Sequence, residues 1–204
     1  MANSTRKEES LALLFSKLQL AALSLFAELG YDLTSMSMIA ARAGIRKSSI
    51  YAHFDSKESL YLSLLDPIIE KELAFLDNQF KSPQIATFRQ CIVSCMTRFH
   101  EDPPVLKFLL RSNYLPPAEL APQILPKSRH FYLTILNQTE KSLAKMGVPK
   151  KSLKELAHVY SGLLDSHLLT LIYCPDITQT RLKALWPLFK KHLESLMPSD
   201  EPES

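Results

Sequence analysis

The chain has 204 residues, of which 46% are hydrophobic and 22% charged, with a formal net charge of +3. This length accommodates one or two domains with real cores, and this composition excludes a wholly disordered chain. No apolar run reaches the roughly 18 residues of a membrane span, and the N-terminus MANSTRKEES has no apolar signal core, so we expect a cytoplasmic protein.

Apolar residues recur at helical spacing from the start of the chain. The first stripe predicts a helix over residues 6–29, which Gly30 ends. A short helix capped by Thr34 or Ser35 follows and stops at Gly44, and a second short helix comes directly after it.

A longer helix is predicted to begin after Asp55 or Ser56. Glu58 stands three residues after Asp55, as in a capping box. Pro67 falls inside its apolar stripe, so the helix either kinks there or restarts with proline in the first turn. A kink at Pro67 would make it a candidate hinge between two domains.

The rest of the chain repeats the same pattern. Four prolines in YLPPAELAPQILP, residues 114–126, predict a loop with at most one turn of helix, and a helix up to Met146 follows it. The last two helices are expected at about 150–173 and 177–197. No segment alternates as a strand does, so the fold is predicted to be all-α with about nine helices.

Two short helices joined by a glycine turn predict a helix-turn-helix motif at about residues 35–54. Its second helix is the one that enters the major groove of DNA, and residues 42–57 hold four basic side chains against the single Asp55. The leading end of that helix offers three side chains to base edges, namely Lys47, Ser48 and Ser49. Side chains suited to phosphates lie further along or at the start of the preceding helix, namely Tyr51, His53, Lys57, Thr34, Ser35 and Ser37.

The run GYDLTSMSMIAARAGIRKSSIYAHFDSKESL, residues 30–60, resembles the DNA-binding signature of the TetR/AcrR family of bacterial transcriptional regulators. With the preceding helix the resemblance covers about 55 residues. It implies a three-helix DNA-binding domain within residues 1–56, a helical effector-binding and dimerisation domain over 57–197, and repression relieved by a small effector. Family members commonly touch DNA through the positions matching Thr34, Ser35, Lys47, Ser48, Tyr51, His53 and Lys57. The tail, residues 198–204, is predicted to be disordered.

Arg46 departs from the family pattern. Many members have a serine or threonine there, which caps the recognition helix. Arginine cannot cap in this way, so a start one or two residues later, with Ser48 as cap, is predicted, and Arg46 is assigned to a phosphate. The first base-reading residue is then Lys47, Ser48 or Ser49.

Two further sites follow from the family resemblance and from residue type. An apolar effector pocket is expected in the middle helices, with plain core packing as the alternative for each candidate: Phe88, Cys95, Met96, Phe99, Phe108, Tyr114, Phe131, Tyr160 and His167. A dimer interface is expected on the last two helices, at Ser161, Gly162, Asp165, Ser166, Trp186 and Phe189. Here the alternative is that these side chains only complete the core of one protomer.

No cofactor or metal site is predicted. The three cysteines, Cys91, Cys95 and Cys174, have no finger spacing and are interpreted as buried thiols. An enzyme is disfavoured because the chain lacks a phosphate-binding glycine loop and a nucleophile elbow. A helical adaptor protein is the other rival class, but it leaves the basic cluster beside Gly44 unexplained. Among regulators, an activator or a ligand-independent regulator remains an alternative to a ligand-released repressor that binds an inverted repeat as a homodimer.

Overall fold

The computed structural model describes residues 17–197, so the predicted tail 198–204 and the predicted helix start at 6–16 lie outside the described residues. Over this range the chain forms nine α-helices and one short 3-10 helix and has no strand, which confirms the predicted all-α class. The helices are α1 (17–29), α2 (Met36–Ala43), α3 (Lys47–Tyr51), α4 (Lys57–Gln79), α5 (Ile85–Glu101), α6 (Pro103–Tyr114), α7 (Ala121–Lys145), α8 (Lys150–Tyr173) and α9 (Thr178–Leu196). The 3-10 helix, Pro175–Ile177, joins the last two.

The contacts divide the chain into two compact units. The first comprises residues up to Ile69 together with Asp102–Leu125, and the second comprises Glu70–Glu101 and the residues from Pro126 onward. These packing units differ from the domains expected at 1–56 and 57–197, and that functional division stays a prediction.

The first unit has an aromatic core built by helices distant in sequence. Tyr61 lies at its centre, with ring centroids 4.9 Å from Phe26, 5.3 Å from Tyr31 and 4.7 Å from Phe108. The hydroxyl of Ser112 donates to the carbonyl of Phe108, so the Tyr61 hydroxyl, 2.8 Å away, donates to the Ser112 oxygen. Burial raises the pKa of Tyr61. These contacts hold α1, α4 and α6 around one core.

The second unit is centred on Tyr160 of α8. Its ring lies edge-on to Phe88 of α5 at 4.9 Å and 5.6 Å from Phe189 of α9, and it is completely buried. Its hydroxyl donates to the carbonyl of Phe88 over 2.9 Å, which satisfies the polar group of this buried ring.

α4 begins after one of its two predicted caps, whereas α7 begins earlier than the sequence predicted. α4 begins after Ser56, whose hydroxyl accepts from the Ser59 N–H at 3.0 Å while the Ser59 hydroxyl oxygen accepts from the Ser56 N–H at 3.2 Å. This reciprocal pair is a capping box, but its partner is Ser59 and not Glu58. α7 begins at Ala121, inside the segment predicted as a loop, and it passes through Pro126.

α4 also passes through Pro67 as one helix, so the predicted alternative of a restarted helix is wrong.

Candidate nucleic-acid interface

The turn between α2 and α3 is built by Gly44. Its φ of 69° lies in the left-handed region, which glycine adopts without steric cost. The Gly44 N–H donates to the carbonyl of Ala41 at 3.2 Å, and the Ile45 N–H donates to that of Ala40 at 3.0 Å. This pair of bonds is a Schellman motif, which ends α2 and turns the chain toward α3.

α3 turns one apolar residue inward and presents a polar face outward. Ile50 is completely buried, whereas Lys47 and Ser48 are exposed and Tyr51 is 47% exposed. Ser49 and His53 are half-buried. A lysine, a serine hydroxyl and a phenol are thus brought together on one short helix, as the sequence predicted.

Arg46 occupies the cap position of α3. It has extended backbone angles, φ −73° and ψ 143°, and its exposed side chain makes no capping hydrogen bond. The helix nevertheless begins at Lys47, so the predicted later start with Ser48 as cap is wrong. Packing of Ile50 replaces the missing cap as the source of helix stability.

Three residues with hydroxyl groups lie at the start of α2, and each has a different environment. Ser35 is the N-cap, and its hydroxyl oxygen accepts from the Met38 N–H at 3.2 Å. Ser37 is exposed. Thr34 is only 1% exposed and donates its hydroxyl to the carbonyl of Gly30 at 2.6 Å. Its side chain therefore faces the interior, which corrects the expectation that it is available to DNA.

Lys57 is half-buried and bound within the first unit. Its ammonium donates to the carbonyl of Tyr31 over 2.8 Å and lies 3.9 Å from the centre of the Tyr31 ring. Burial, and next a hydrogen bond with Glu119, hold the pKa of Tyr31 far above its ordinary value. Lys57 thus ties the start of α4 to the turn before α2, a contact that joins residues 26 positions apart and leaves no local signal in the sequence.

The charges near the motif are only partly paired. Arg42 is offset by Glu28, with nitrogen and oxygen 2.9 Å apart, and Glu58 accepts from the Gln123 side-chain amide at 2.6 Å. Within residues 17–197, Arg46 and Lys47 have no acidic partner. The positive charge that remains on this surface is therefore concentrated at the leading end of α3.

The nine candidate effector residues are divided between the two packing units. Phe108 and Tyr114 belong to the first unit, and the other seven to the second. Phe108 and Tyr160 are core residues, as described above; Phe88, Cys95, Met96 and Phe99 are buried, Phe131 is half-buried and Tyr114 is exposed.

His167 stands out among the candidates. It is completely buried, and its Nδ1 lies 2.7 Å from the carbonyl of Leu163. Its Nε2 has no hydrogen-bond partner among the described residues. Burial is the main reason why the pKa of His167 is lowered, and the charge of Arg181 lowers it further.

The candidate dimer residues also fall into two groups. Ser161, Trp186 and Phe189 are buried within the protomer, at 1%, 8% and 4% exposure, whereas Asp165 and Ser166 are half-buried. Gly162 lines an open groove of about 410 Å³ between α8 and α9, whose mainly apolar walls include Val159, Leu185 and Leu188. A Cβ added to Gly162 would meet no atom within 4 Å, so no close approach within the described protomer requires glycine there.

The thiols were predicted to be buried, which holds for Cys91 and Cys95 and is wrong for the exposed Cys174. Across residues 17–197, no three side chains of the His, Cys, Asp and Glu types converge as a metal site would require. None of the helices described over that range has the length and apolar character needed to span a bilayer.

The short helices, the glycine turn and the exposed face of α3 define a helix-turn-helix module within an all-α chain. Residues 20–64 match the family described as bacterial regulatory proteins, tetR family. These residues, which include the helix-turn-helix segment, therefore carry the signature of that family.

Relatives and solved structures are similar to this chain over different lengths. The Staphylococcus aureus negative transcriptional regulator of the icaADBC biofilm operon, IcaR, is 52% identical over 40 residues, which are 20% of this chain and 22% of IcaR. A TetR-like regulator from Rhodococcus sp. RHA1 has a similar fold, with a TM-score of 0.71 and 16% identity over 90% of this chain and 97% of that one. The complex of SmeT with triclosan is similar as well, with a TM-score of 0.70 and 16% identity over 94% of this chain and 96% of that one.

Proposed function

We propose that the protein is a transcriptional repressor that binds an inverted-repeat operator as a homodimer and leaves it when a small molecule binds. The observation that carries the DNA-binding role is the exposed, unpaired leading end of α3. Lys47 and Ser48 are accessible there, and Gly44 fixes the direction of the helix beneath them. The description of IcaR as a negative regulator supports repression as the mode.

The proposed contacts divide by position on the motif. We assign base edges to Lys47, Ser48 and Ser49, and phosphates to Arg46, Tyr51, His53, Ser35 and Ser37. Lys57 is already engaged with Tyr31 but keeps two further N–H donors for a phosphate.

The DNA-binding role is tested by selecting duplexes from a randomised library with the full chain. The wild-type protein is expected to enrich an inverted repeat whose half-sites are about one helical turn or more apart. The double variant Lys47→Ala/Tyr51→Ala should bind that repeat at least about tenfold more weakly, since it removes one base contact and one phosphate contact. Its matched control is Lys81→Ala/Tyr132→Ala, which removes an exposed lysine and an exposed tyrosine from the second unit. Equal affinities of the two double variants would refute the assignment of α3 as the reading helix.

The homodimer is supported by the groove between α8 and α9. Leu188 is 68% exposed and Val159 46% exposed at its walls, although both are apolar. Contiguous apolar surface of this kind is typical of a surface that a partner covers. A second copy of the same groove is the occupant we propose, because twofold dimers use the same patch on both subunits.

The effector is proposed to bind the second unit, which holds seven of the nine candidate residues. SmeT has a similar fold and was solved with triclosan, so an effector screen should include apolar phenols besides cationic compounds. A compound that binds only the native protein raises its melting temperature. It must also bind the released conformation more tightly than the DNA-bound one, since otherwise it shifts nothing.

Pro67 is part of this proposal as the site of bending in α4. Proline supplies no N–H to the carbonyl four residues earlier, so the helix has one hydrogen bond fewer at this point. Crystal structures with and without effector are expected to differ in the spacing of the two reading helices. Identical spacing in both would argue against a hinge.

A further inference from the structure

The corner between α7 and α8 carries a concentration of positive charge. Residues 140–155 contain two acidic side chains, Glu140 and Glu155 at the two ends, and five lysines between them, all exposed: Lys141, Lys145, Lys150, Lys151 and Lys154. We call these five residues the lysine corner. Within residues 17–197, none of them makes a hydrogen bond or an ion pair through its side chain.

The corner is held by a well-defined turn. Gly147 has a φ of 85°, its N–H donates to the carbonyl of Ala144 at 3.1 Å, and the Val148 N–H donates to that of Leu143 at 3.2 Å. Leu143 and Val148 are buried beneath this Schellman motif. The lysines on the last turns of α7 and the first turns of α8 therefore flank a turn of defined backbone geometry.

Local helix stability does not account for these lysines. Lys145 at the end of α7 is favourably placed with respect to the helix dipole. Lys150, Lys151 and Lys154 lie in the first turns of α8, where the same dipole disfavours positive charge, and Pro149 provides no side-chain cap. Neighbouring lysines also repel one another, so an anionic partner would relieve both costs.

The surface around the corner indicates which kind of anion fits. Among the described residues, no large apolar side chain between Leu133 and Val159 is strongly exposed. Protein interfaces are depleted in lysine and need buried apolar anchors, and stable attachment to a membrane needs an inserted apolar group or a lipid chain besides basic residues. Lysine bound to phosphate as a point charge needs neither.

We propose that the lysine corner is a second contact for duplex DNA, which binds the phosphate backbone without reading sequence and is separate from α3. Such a contact lets one protein hold a flanking or a second duplex in addition to its operator. It depends on charge alone, so its strength falls as the salt concentration rises.

The test measures binding of the full chain to a duplex without the inverted repeat, by fluorescence anisotropy between about 50 and 200 mM KCl. The corner variant is Lys145→Gln/Lys150→Gln/Lys154→Gln. The slope of log affinity against log salt should become shallower by about 0.9 for each phosphate that is no longer neutralised, hence by as much as about 3. The matched control is Lys71→Gln/Lys81→Gln/Lys183→Gln, which removes three exposed lysines scattered over the second unit. It changes the net charge equally and should keep a slope within about one of wild type.

Two results would overturn the proposal. One is an equal slope for the corner and control variants when circular dichroism shows both to be folded. The other is a corner-dependent binding to anionic phosphatidylserine vesicles with unchanged binding to DNA, which would assign the patch to a membrane surface. The variant Lys47→Ala/Tyr51→Ala separates this contact from α3, because it should lose the operator and keep the corner-dependent slope.

Discussion

Thr34 and Ser35 are neighbours that both carry a hydroxyl group, but their hydroxyl groups make different hydrogen bonds. The Thr34 hydroxyl donates inward to Gly30, whereas the Ser35 oxygen accepts from an N–H at the open end of α2. The first closes the turn after α1, and the second begins the next helix. Substitution of either residue would weaken DNA binding by disturbing the fold of the motif.

Ser35→Ala is expected to destabilise the protein by about 1 kcal/mol, because it removes the hydrogen bond to the first turn of α2. Ser37→Ala is the matched control. It makes the same chemical change two residues along, at an exposed side chain, and should leave the free energy of unfolding within about 0.5 kcal/mol of wild type. Urea unfolding followed by circular dichroism measures both. Equal stabilities of the two variants would mean that the cap contributes nothing.

Sequence reasoning could predict which of these residues lie near the motif but not which way each side chain faces. Ser35 was foreseeable as a cap because capping depends on residues three positions apart. The orientation of Lys57 was not foreseeable, because its partner, the carbonyl of Tyr31, is 26 positions away and is brought to it by tertiary packing. The same holds for Tyr61 and Ser112, which are 51 positions apart and meet in the core.

Among the helices, α7 is the clearest case in which proline content predicted the wrong secondary structure. Four prolines predicted a loop, yet the helix begins at Ala121 because Pro122 falls in its first turn, where a missing N–H costs nothing. Pro126 does cost a hydrogen bond, but the preceding Leu120 and Ile124 are completely buried. Burial of apolar surface thus outweighs the local preference.

α3 is only five residues long and lacks a side-chain cap, which makes it the least stable helix of the motif on local grounds. Arg46→Asn is expected to stabilise the protein by about 1 kcal/mol, because asparagine at this position accepts from the first N–H groups of α3. Arg46→Ala removes the same charge without adding a cap and should give no gain. Thermal unfolding of the three proteins measures the difference. A melting temperature no higher for the asparagine variant than for the alanine variant would contradict it.

For the whole molecule, the buried and neutral His167 predicts a loss of stability in acid. The pKa of its folded form is below the ordinary value of 6.5. Well above pH 6.5, neither the folded nor the unfolded chain binds this proton, so the histidine causes no loss of stability. As the pH falls below that value the unfolded chain takes up the proton first, so stability declines until the folded pKa is reached.

His167→Gln should therefore flatten the dependence of melting temperature on pH between about 7 and 5, relative to wild type. His158→Gln, which removes an exposed histidine from the same helix, should leave the wild-type dependence intact. A wild-type slope in the His167 variant would show that its ionisation is not linked to folding.

The proposed dimer can be tested through the groove between α8 and α9. Leu188→Glu places a charge on a wall where an apolar side chain is 68% exposed, so it costs the protomer little but would leave an unpaired charge inside an interface. Sedimentation velocity is expected to show dimers for wild type and monomers for this variant. Leu133→Glu, at a 43% exposed leucine of α7, is the control and should remain dimeric.

Gly162 offers a second test of the dimer interface, because no contact within the protomer requires a glycine at this position. The added methyl group of Gly162→Ala meets no atom within 4 Å, and alanine favours the helix by about 1 kcal/mol, so the protomer should become more stable. If a partner helix approaches this backbone, the same methyl group weakens self-association. We therefore expect a weaker dimer built from more stable subunits. A dimer of unchanged affinity in both the Leu188 and Gly162 variants would place the interface elsewhere.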